Sequence, residues 1–502
     1  MQPPASSSSN QLMSGSEYIE SLRDGRAVYL YGDRVADVTT HPAFRNAARS
    51  VARLYDSLAD PAQRDQLTTT DRYGIRTHRF FTPSYSAEEL LAARNAVARW
   101  ARLTYGFMGR TPDYKASFMA TLGANPEFYA PFENNARNWY RRYAARGLYL
   151  NHVLINPPVD RNRPVHEVAD VFLHVVRETD AGAIVSGAKM LATGSALTHA
   201  TFVAQNSAVN LEAGKAEDFA LVFIAPVDTP RTRLICRPSY EQNAHSPFDH
   251  PLSSRFDEND AVLIFDEAFI PWENFLVYRN TERANSFYPA SGFFNRFNLQ
   301  AGTRLAVKLD FMTGLLARGV ACNGTDGFRG VQVALGDVMA WRTLIWAMTT
   351  AMCTDPQSGP GGSVIPRIEN AAAMRIFATS AWPAVKSIFE NVLGGAPLVT
   401  PSGREDLANP DLRPLIDRYY RGTGMNAQDR IKLFKLVWDA IGSEFGGRHE
   451  LYERNYAGNS EQIRVDALNF SRRNGVLDQC LQLVDECLAD YDLDGWTNDA
   501  WR

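Results

Sequence analysis

Cysteine is scarce in this chain, and the few present stand apart. Five occur among 502 residues (Cys236, Cys322, Cys353, Cys480 and Cys487), with no C-x-x-C pair. That pattern excludes a disulfide framework and fits reduced thiols of a cytoplasmic protein, with buried packing as their ordinary role. Long apolar runs are missing as well. Residues 219–225 and 261–265 are interrupted by charge within a few positions, far short of the roughly 20 needed to cross a bilayer. An excess of one charge is also absent: Lys+Arg number 52 against Asp+Glu 56, for a net charge of −4. With no basic run there is no electrostatic footprint for nucleic acid. The opening stretch from Gln2 to Asn10 is polar and Ser-rich, with no basic region followed by an apolar one, so it reads as a disordered tail over residues 1–17 and not as a signal peptide.

Several chemical signatures are lacking too. No G-x-G-x-x-G follows a predicted strand, and no G-x-x-x-x-G-K-[ST] occurs, which argues against a Rossmann site and P-loop phosphoryl transfer. No H-E-x-x-H or clustered Cys/His set offers a metal site, and no G-x-S-x-G marks a serine hydrolase.

What is present falls into three zones. Residues 18–147 follow a helical rhythm. Phe44, Ala48, Val51, Tyr55 and Leu58 recur at spacings of three and four behind Pro42, as one face of a helix should. Residues 148–279 carry short β-rich runs separated by Gly, Pro, Asp and Asn. Their connections are too short for crossover helices, so an antiparallel sheet or barrel is expected. Residues 280–502 are helical again, with three apolar stripes: Leu305, Leu309, Met312, Leu316 and Val320; Val331, Leu335, Val338, Trp341 and Ile345; and Leu477, Leu481, Val484 and Leu488. Such stripes pack into a bundle.

Four segments have chemical potential. In residues 105–116, YGFMGRTPDYKA, Arg110 and Tyr114 stand about one helical turn apart and offer two donors to an anionic oxygen. The same letters also read as a helix start, with Thr111 capping, Pro112 at the first position and Asp113 in the first turn. His152, in LYLNHVLINPPVDR (148–161), is either a packed core histidine or, at a domain junction, a proton exchanger for a phenol. Thr193-Gly194-Ser195 reads as a hairpin turn or as backbone that a flat ligand approaches. Gly446-Gly447, within AIGSEFGGRHELYERNY (440–456), marks a helix end or a close approach to a ligand, with Arg448 at hand for a phosphate.

Taken together, the chain resembles the oxygenase components of the 4-hydroxyphenylacetate 3-monooxygenase family. The likeness runs from SLRDGRAVYLYGDRVADVTTHPAFRNAARSVARLYD (21–56) through FMGRTPDYKA, PLSSRFDENDAVLIFDEAFIPWENFLVYR (251–279) and WDAIGSEFGGRHELYERNY (438–456) to YDLDGWT (491–497). The resemblance implies an α+β, acyl-CoA-dehydrogenase-like fold: an N-terminal helical domain, a middle antiparallel β-barrel and a C-terminal four-helix bundle. It also implies a homotetramer. Reduced FAD would come from a separate NADH-dependent flavin reductase, which accounts for the missing Rossmann signature. With dioxygen as co-substrate, the flavin would furnish an electrophilic oxygen that hydroxylates a phenol beside its OH group.

The family's phenol-binding set falls on Arg110, Tyr114 and His152. In that reading His152 accepts the phenol proton, while Arg110 and Tyr114 donate to the phenol oxygen or to the oxygen donor. FAD contacts fall on His152, Val153 and Leu154, on Pro158, Val159, Asp160 and Arg161, on Thr193, and on Phe445, Gly446, Gly447 and Arg448. The loop 205–215 is expected to close over the substrate tail, with Ser207 and Ala208 contacting it. Val209 departs from the pattern there, so tyrosine- or coumarate-like phenols rank beside 4-hydroxyphenylacetate. The same fold also hosts flavin dehydrogenases acting on thioesters, which is the alternative activity. An iron–sulfur branch would need cysteines near the first motif, and none precedes Cys236. A non-enzymatic scaffold would have no need of the mapped residues.

Overall fold

The computed structural model describes residues 11–160, 162–206, 210–455 and 458–500. Its first helix, Gly15–Ser21, opens with a capping box. Ser14 Oγ accepts from the Glu17 N–H, and the Glu17 carboxylate accepts from the Ser14 N–H. Met13 and Tyr18 are buried, so residues 14–17, assigned above to a tail, are a helix cap and first turn. The Arg45–Ala59 helix buries Ala48, Val51, Tyr55 and Leu58, as their spacing predicts, with Phe44 at its N-cap. Helices Ala87–Leu103, Pro112–Ala124 and Glu133–Arg146 follow, after a short antiparallel pair of strands, Thr68–Thr70 and Arg76–His78. Every residue of Pro112–Ala124 is buried, which is the condition of a helix enclosed by protein on all sides.

The middle strands form two hydrogen-bonded sheets, the larger of which also takes in two strands from the zone expected to be helical, Val28–Leu30 and Asp33–Arg34. One has six strands in the order Asp33–Arg34, Val28–Leu30, Thr232–Cys236, Ala261–Pro271, Gly182–Lys189 and His174–Thr179. The other has four: Phe275–Tyr278, Leu221–Pro226, Ala200–Val203 and Leu150–Val153. Most pairs are antiparallel as expected, but two are parallel: Val28–Leu30 with Thr232–Cys236, and Leu150–Val153 with Ala200–Val203. Both exceptions have one cause. Chain belonging to other strands or helices intervenes, giving the crossover length that a parallel pair requires and a hairpin does not.

In the last zone the long helices Phe293–Asn323, Arg329–Thr354 and Ile368–Leu393 pack on one another, and Ser460–Arg473 packs on the third. The first stripe is buried at all five positions, each such side chain contributing about 1.5–3 kcal/mol relative to exposure. The second buries fully only Val338 and Ile345. The third does not pack within the chain: Leu481, Val484 and Leu488 on helix Val476–Ala489 are each more than half exposed. Periodicity identified an amphipathic helix correctly but could not say what covers it. One continuous cluster of buried residues links all three zones. Among the described residues no helix is long and apolar enough to cross a membrane.

Candidate functional site

Where the three zones meet lies a cavity of about 370 Å³, with Arg110, Tyr114 and His152 in its wall. Each is held by local chemistry. The turn before the Pro112–Ala124 helix is pinned by Glu258, whose carboxylate accepts from the N–H groups of Gly109 (2.8 Å) and Arg110 (2.5 Å). The Tyr149 hydroxyl donates to the Arg110 carbonyl at 2.5 Å. Glycine is required at 109 because a Cβ there would sit 2.1 Å from the Tyr452 hydroxyl oxygen. Pro112 stands at the first helical position and Thr111 at the N-cap, as predicted, but the Thr111 side chain makes no capping hydrogen bond. Its hydroxyl donates instead to the buried Asp113 carboxylate at 2.6 Å, which also accepts from Gln300 at 3.2 Å. Burial pushes the Asp113 carboxyl up to about 6, against the pull of those two donors.

One helical turn beyond Arg110, Tyr114 lies flat under it, with the guanidinium carbon 4.2 Å from the ring centre. His152 comes from strand Leu150–Val153 and packs on the helix with its ring tilted by 33° to those of Tyr114 and Phe118, whose centres lie 5.4 and 4.9 Å away. Its Nδ1 lies 2.7 Å from the ammonium nitrogen of Lys115. Burial, then Lys115 and Arg110, hold the His152 pKa well below the usual imidazole value. The core-histidine and functional readings are thus both partly met, since the ring packs among aromatics and also lines the cavity.

Another part of the lining is organised by Asp260, just before strand Ala261–Pro271. Its carboxylate accepts from the Thr193 hydroxyl at 2.6 Å, from Arg237 at 2.9 Å, and from Arg448 through both oxygens at 2.9 and 3.1 Å. Burial alone would raise this carboxyl, but Arg448, Arg237 and Thr193 hold it below the usual range. Arg448, expected to be at hand for a phosphate, is therefore already neutralised by protein. Thr193 lines the cavity, and the turn at Gly194 (φ +74°) leads into a short 3-10 helix, Ser195–Leu197, not a hairpin.

Other expected residues stand apart. Leu154 lines the cavity, whereas Val153 is core and Val159 is exposed. Pro158 and Asp160 share that outer loop and are not in the cavity wall. The glycine pair neither ends a helix nor bounds the cavity. Both lie in the first turn of helix Glu444–Asn455, where Gly446 packs so tightly on Ile441 that a Cβ would come within 2.7 Å of its backbone. A Cβ on Gly447 would meet nothing within 4 Å. Phe445 stacks on Phe107 in the core. From this helix Arg448, Leu451, Tyr452 and Asn455 reach the cavity. Arg161, Ser207 and Ala208 lie outside the described residues; their neighbour Asn206 lines the cavity.

Sequence reasoning missed Lys115, Glu258, Asp260 and Tyr452. The signals were slight: three acids in DEND just before an apolar strand, and a tyrosine one turn beyond Arg448.

Residues 14–277 match the family model described as 4-hydroxyphenylacetate 3-hydroxylase N terminal, and residues 284–485 its C-terminal counterpart. The chain is 58% identical to the pyoverdin chromophore biosynthetic protein PvcC of Pseudomonas aeruginosa, over 98% of each sequence. It is 53% identical to the 4-hydroxyphenylacetate 3-monooxygenase oxygenase component of the same organism, over 98% of this chain and 95% of that one. Among solved structures, an oxygenase component of 4-hydroxyphenylacetate 3-monooxygenase complexed with FAD and 4-hydroxyphenylacetate superposes with a TM-score of 0.89 at 30% identity, covering 95% of this chain and 99% of that one. The fold is acyl-CoA-dehydrogenase-like.

Proposed function

The chain belongs to the 4-hydroxyphenylacetate 3-hydroxylase family, and from that premise we propose that it is the oxygenase component of a two-component monooxygenase converting a para-substituted phenol to a catechol. It is a flavin-dependent aromatic monooxygenase that uses FAD and dioxygen. The observation that carries the phenol assignment is the convergence of Arg110, Tyr114 and His152, drawn from a turn, a helix and a strand, on one cavity.

The residues present fit a flavin. Leu154, Ile155 and Met190 offer an apolar strip to a flat ring, and Thr193, Asp260 and Arg448 lie in the same wall as polar partners. Because Arg448 is paired with Asp260, it would serve a neutral polar group of the flavin better than a phosphate. Reduced FAD, when bound, supplies the electrons that activate dioxygen for transfer of one oxygen atom to the ring. The chain's own residues do the rest. Arg110 and Tyr114 donate to the phenol oxygen, favouring the electron-rich phenolate. His152 takes the phenol proton on the ring nitrogen that Lys115 leaves free. The aromatic wall of Tyr288, Phe293 and Phe297 excludes water from the reacting ring. The thioester reading is disfavoured: Asp260 is the carboxylate in the wall, and its ties to two arginines and a threonine make it a poor base.

The reductase is a separate NADH-dependent protein that hands over reduced flavin, and the setting is the cytoplasm. The uncovered face of helix Val476–Ala489 supports a homotetramer in which partner chains cover it. A panel of phenols incubated with the protein, a flavin reductase, NADH, FAD and dioxygen tests the assignment by catechol formation. Peroxide release without catechol from any of them would overturn it.

A further inference from the structure

Two buried lysines in this protein touch a histidine, and their surroundings differ. Lys308 lies 3.2 Å from His449 Nδ1 with the Glu453 carboxylate 3.0 Å from the same ammonium group. Lys115 lies 2.7 Å from His152 Nδ1, is 1% exposed, and has no carboxylate within salt-bridge distance among the described residues. Its other close neighbour is the Tyr114 ring, 4.6 Å from Nζ. A lysine buried without a counter-ion is costly to keep charged, and here the cost falls beside the residue that faces the cavity.

The hydrogen bond has two forms. With Lys115 as ammonium, Nζ donates to Nδ1, and His152 carries its proton on Nε2, towards the cavity. With Lys115 as a neutral amine, Nδ1–H donates to Nζ, and Nε2 presents a lone pair. We propose that Lys115 is the positioning residue of the phenol site, setting the His152 tautomer and taking up the proton that phenol binding delivers to the imidazole. The inference rests on the phenol reading of the cavity given above.

The step balances. The phenol O–H bond breaks as an Nε2–H bond forms, and the Nδ1–H bond breaks as an Nζ–H bond forms. Phenol and neutral lysine become phenolate and ammonium, His152 ends neutral with Nε2–H donating to the phenolate, and no proton is exchanged with solvent. The groups facing the pair are Tyr114 from the helix of Lys115 itself, Arg110 from the turn before that helix, and Glu258 from the segment before Ala261–Pro271. Burial and then Arg110 hold the Lys115 amine well below its ordinary value, with Glu258 opposing them, which favours the form with Nε2 open to accept.

The test is a spectroscopic titration of bound 4-nitrophenol, in the presence of oxidised FAD so that no turnover occurs, in the wild type, Lys115→Met and Lys115→Gln. In the wild type the bound probe should ionise at lower pH than free probe. Both variants should need at least about tenfold lower proton concentration for the same ionised fraction, because neither side chain accepts a proton. In turnover with a phenol of ordinary acidity, both should lose about 100-fold in hydroxylation rate near neutral pH and regain it as pH rises towards the phenol's own ionisation. FAD affinity should be unchanged. Equal ionisation of bound probe in all three proteins would overturn the proposal, as would a rate loss that is the same at every pH. A Lys115-dependent ionisation without catechol from any phenol would leave the proposal standing and remove the activity; catechol formation with Lys115-independent ionisation would do the reverse.

Discussion

The Arg448 guanidinium grips both oxygens of Asp260, Nη2 at 2.9 Å and Nε at 3.1 Å, and this fork closes helix Glu444–Asn455 onto the start of strand Ala261–Pro271. Arg237 and Thr193 complete the carboxylate's partners. One side chain thus ties the last zone of the chain to the middle one along the cavity wall.

Asp260→Asn should therefore cost about 3 kcal/mol in chemical denaturation, the low end for breaking a buried pair, because the carboxylate keeps some exposure. FAD affinity should fall with it. The pH dependence follows from the depressed carboxyl. Its contribution is complete above the unfolded value of about 4 and is lost as pH falls towards the lower folded value. The wild type should lose this margin only in acid, and the variant should show no matching loss. Equal acid profiles would remove Asp260 from that role.

His152→Ala should lower hydroxylation about 100- to 10,000-fold while reduced FAD binds nearly as before. Rapid-mixing measurements that follow flavin oxidation and catechol separately would read this as flavin reoxidation uncoupled from product. An unchanged catechol rate would exclude His152 from proton transfer.

Arg110 stacks on Tyr114 at 4.2 Å, so charge and planarity both matter there. Arg110→Lys keeps the charge and loses the flat stack, and a loss of about tenfold in kcat/KM is expected. Arg110→Ala should lose about 100-fold or more, the usual cost of removing one donor to a developing oxyanion. If the two variants behave alike, the stacking has no catalytic consequence.

Gly109→Ala places a methyl group 2.1 Å from the Tyr452 hydroxyl. The overlap should cost about 1–3 kcal/mol in thermal or denaturant unfolding and shift Arg110 with the turn. Adding Tyr452→Phe should restore part of the stability by removing the nearest atom. Additive losses in the double variant would place the strain elsewhere.

Leu481→Asp combined with Val484→Asp charges the exposed face of helix Val476–Ala489. Light scattering should then find a smaller particle than the wild type, without loss of helicity. An unchanged particle mass would show that this face takes no part in assembly.

Sequence pattern alone located the helices whose apolar stripes it named and the β-rich character of the middle zone, but not strands such as Val28–Leu30 or Ala200–Val203, because a period of 3.6 or 2 reports only which side of an element meets apolar neighbours. It could not name those neighbours, so the stripe at Leu481, Val484 and Leu488 was legible as a face and misread as a core. Resemblance found Arg110, Tyr114 and His152. Lys115 went unremarked although it adjoins Tyr114 in the chain, because a lysine in a helix looks like a solvent-facing residue until burial is known. Asp260 was hidden for a related reason: its partners Thr193, Arg237 and Arg448 are separated from it by between 23 and 188 positions, and no local spacing encodes such a junction. The Gly446-Gly447 pair misled in the opposite sense, since a close approach was expected from a ligand and is made by Ile441.

The Pro112–Ala124 helix has no face towards solvent, and that divides the cavity for anyone wishing to redesign it. The end proposed to bind the phenol oxygen takes Tyr114 from this fully enclosed element, where a changed side chain disturbs the neighbours on every side. The wall formed by Leu154, Ile155, Met190 and Leu191 belongs to strand ends and turns, with Leu191 more than half exposed. Changes to that wall, proposed above to face the flavin ring, should thus be absorbed locally, whereas changes at the other end spread into the core.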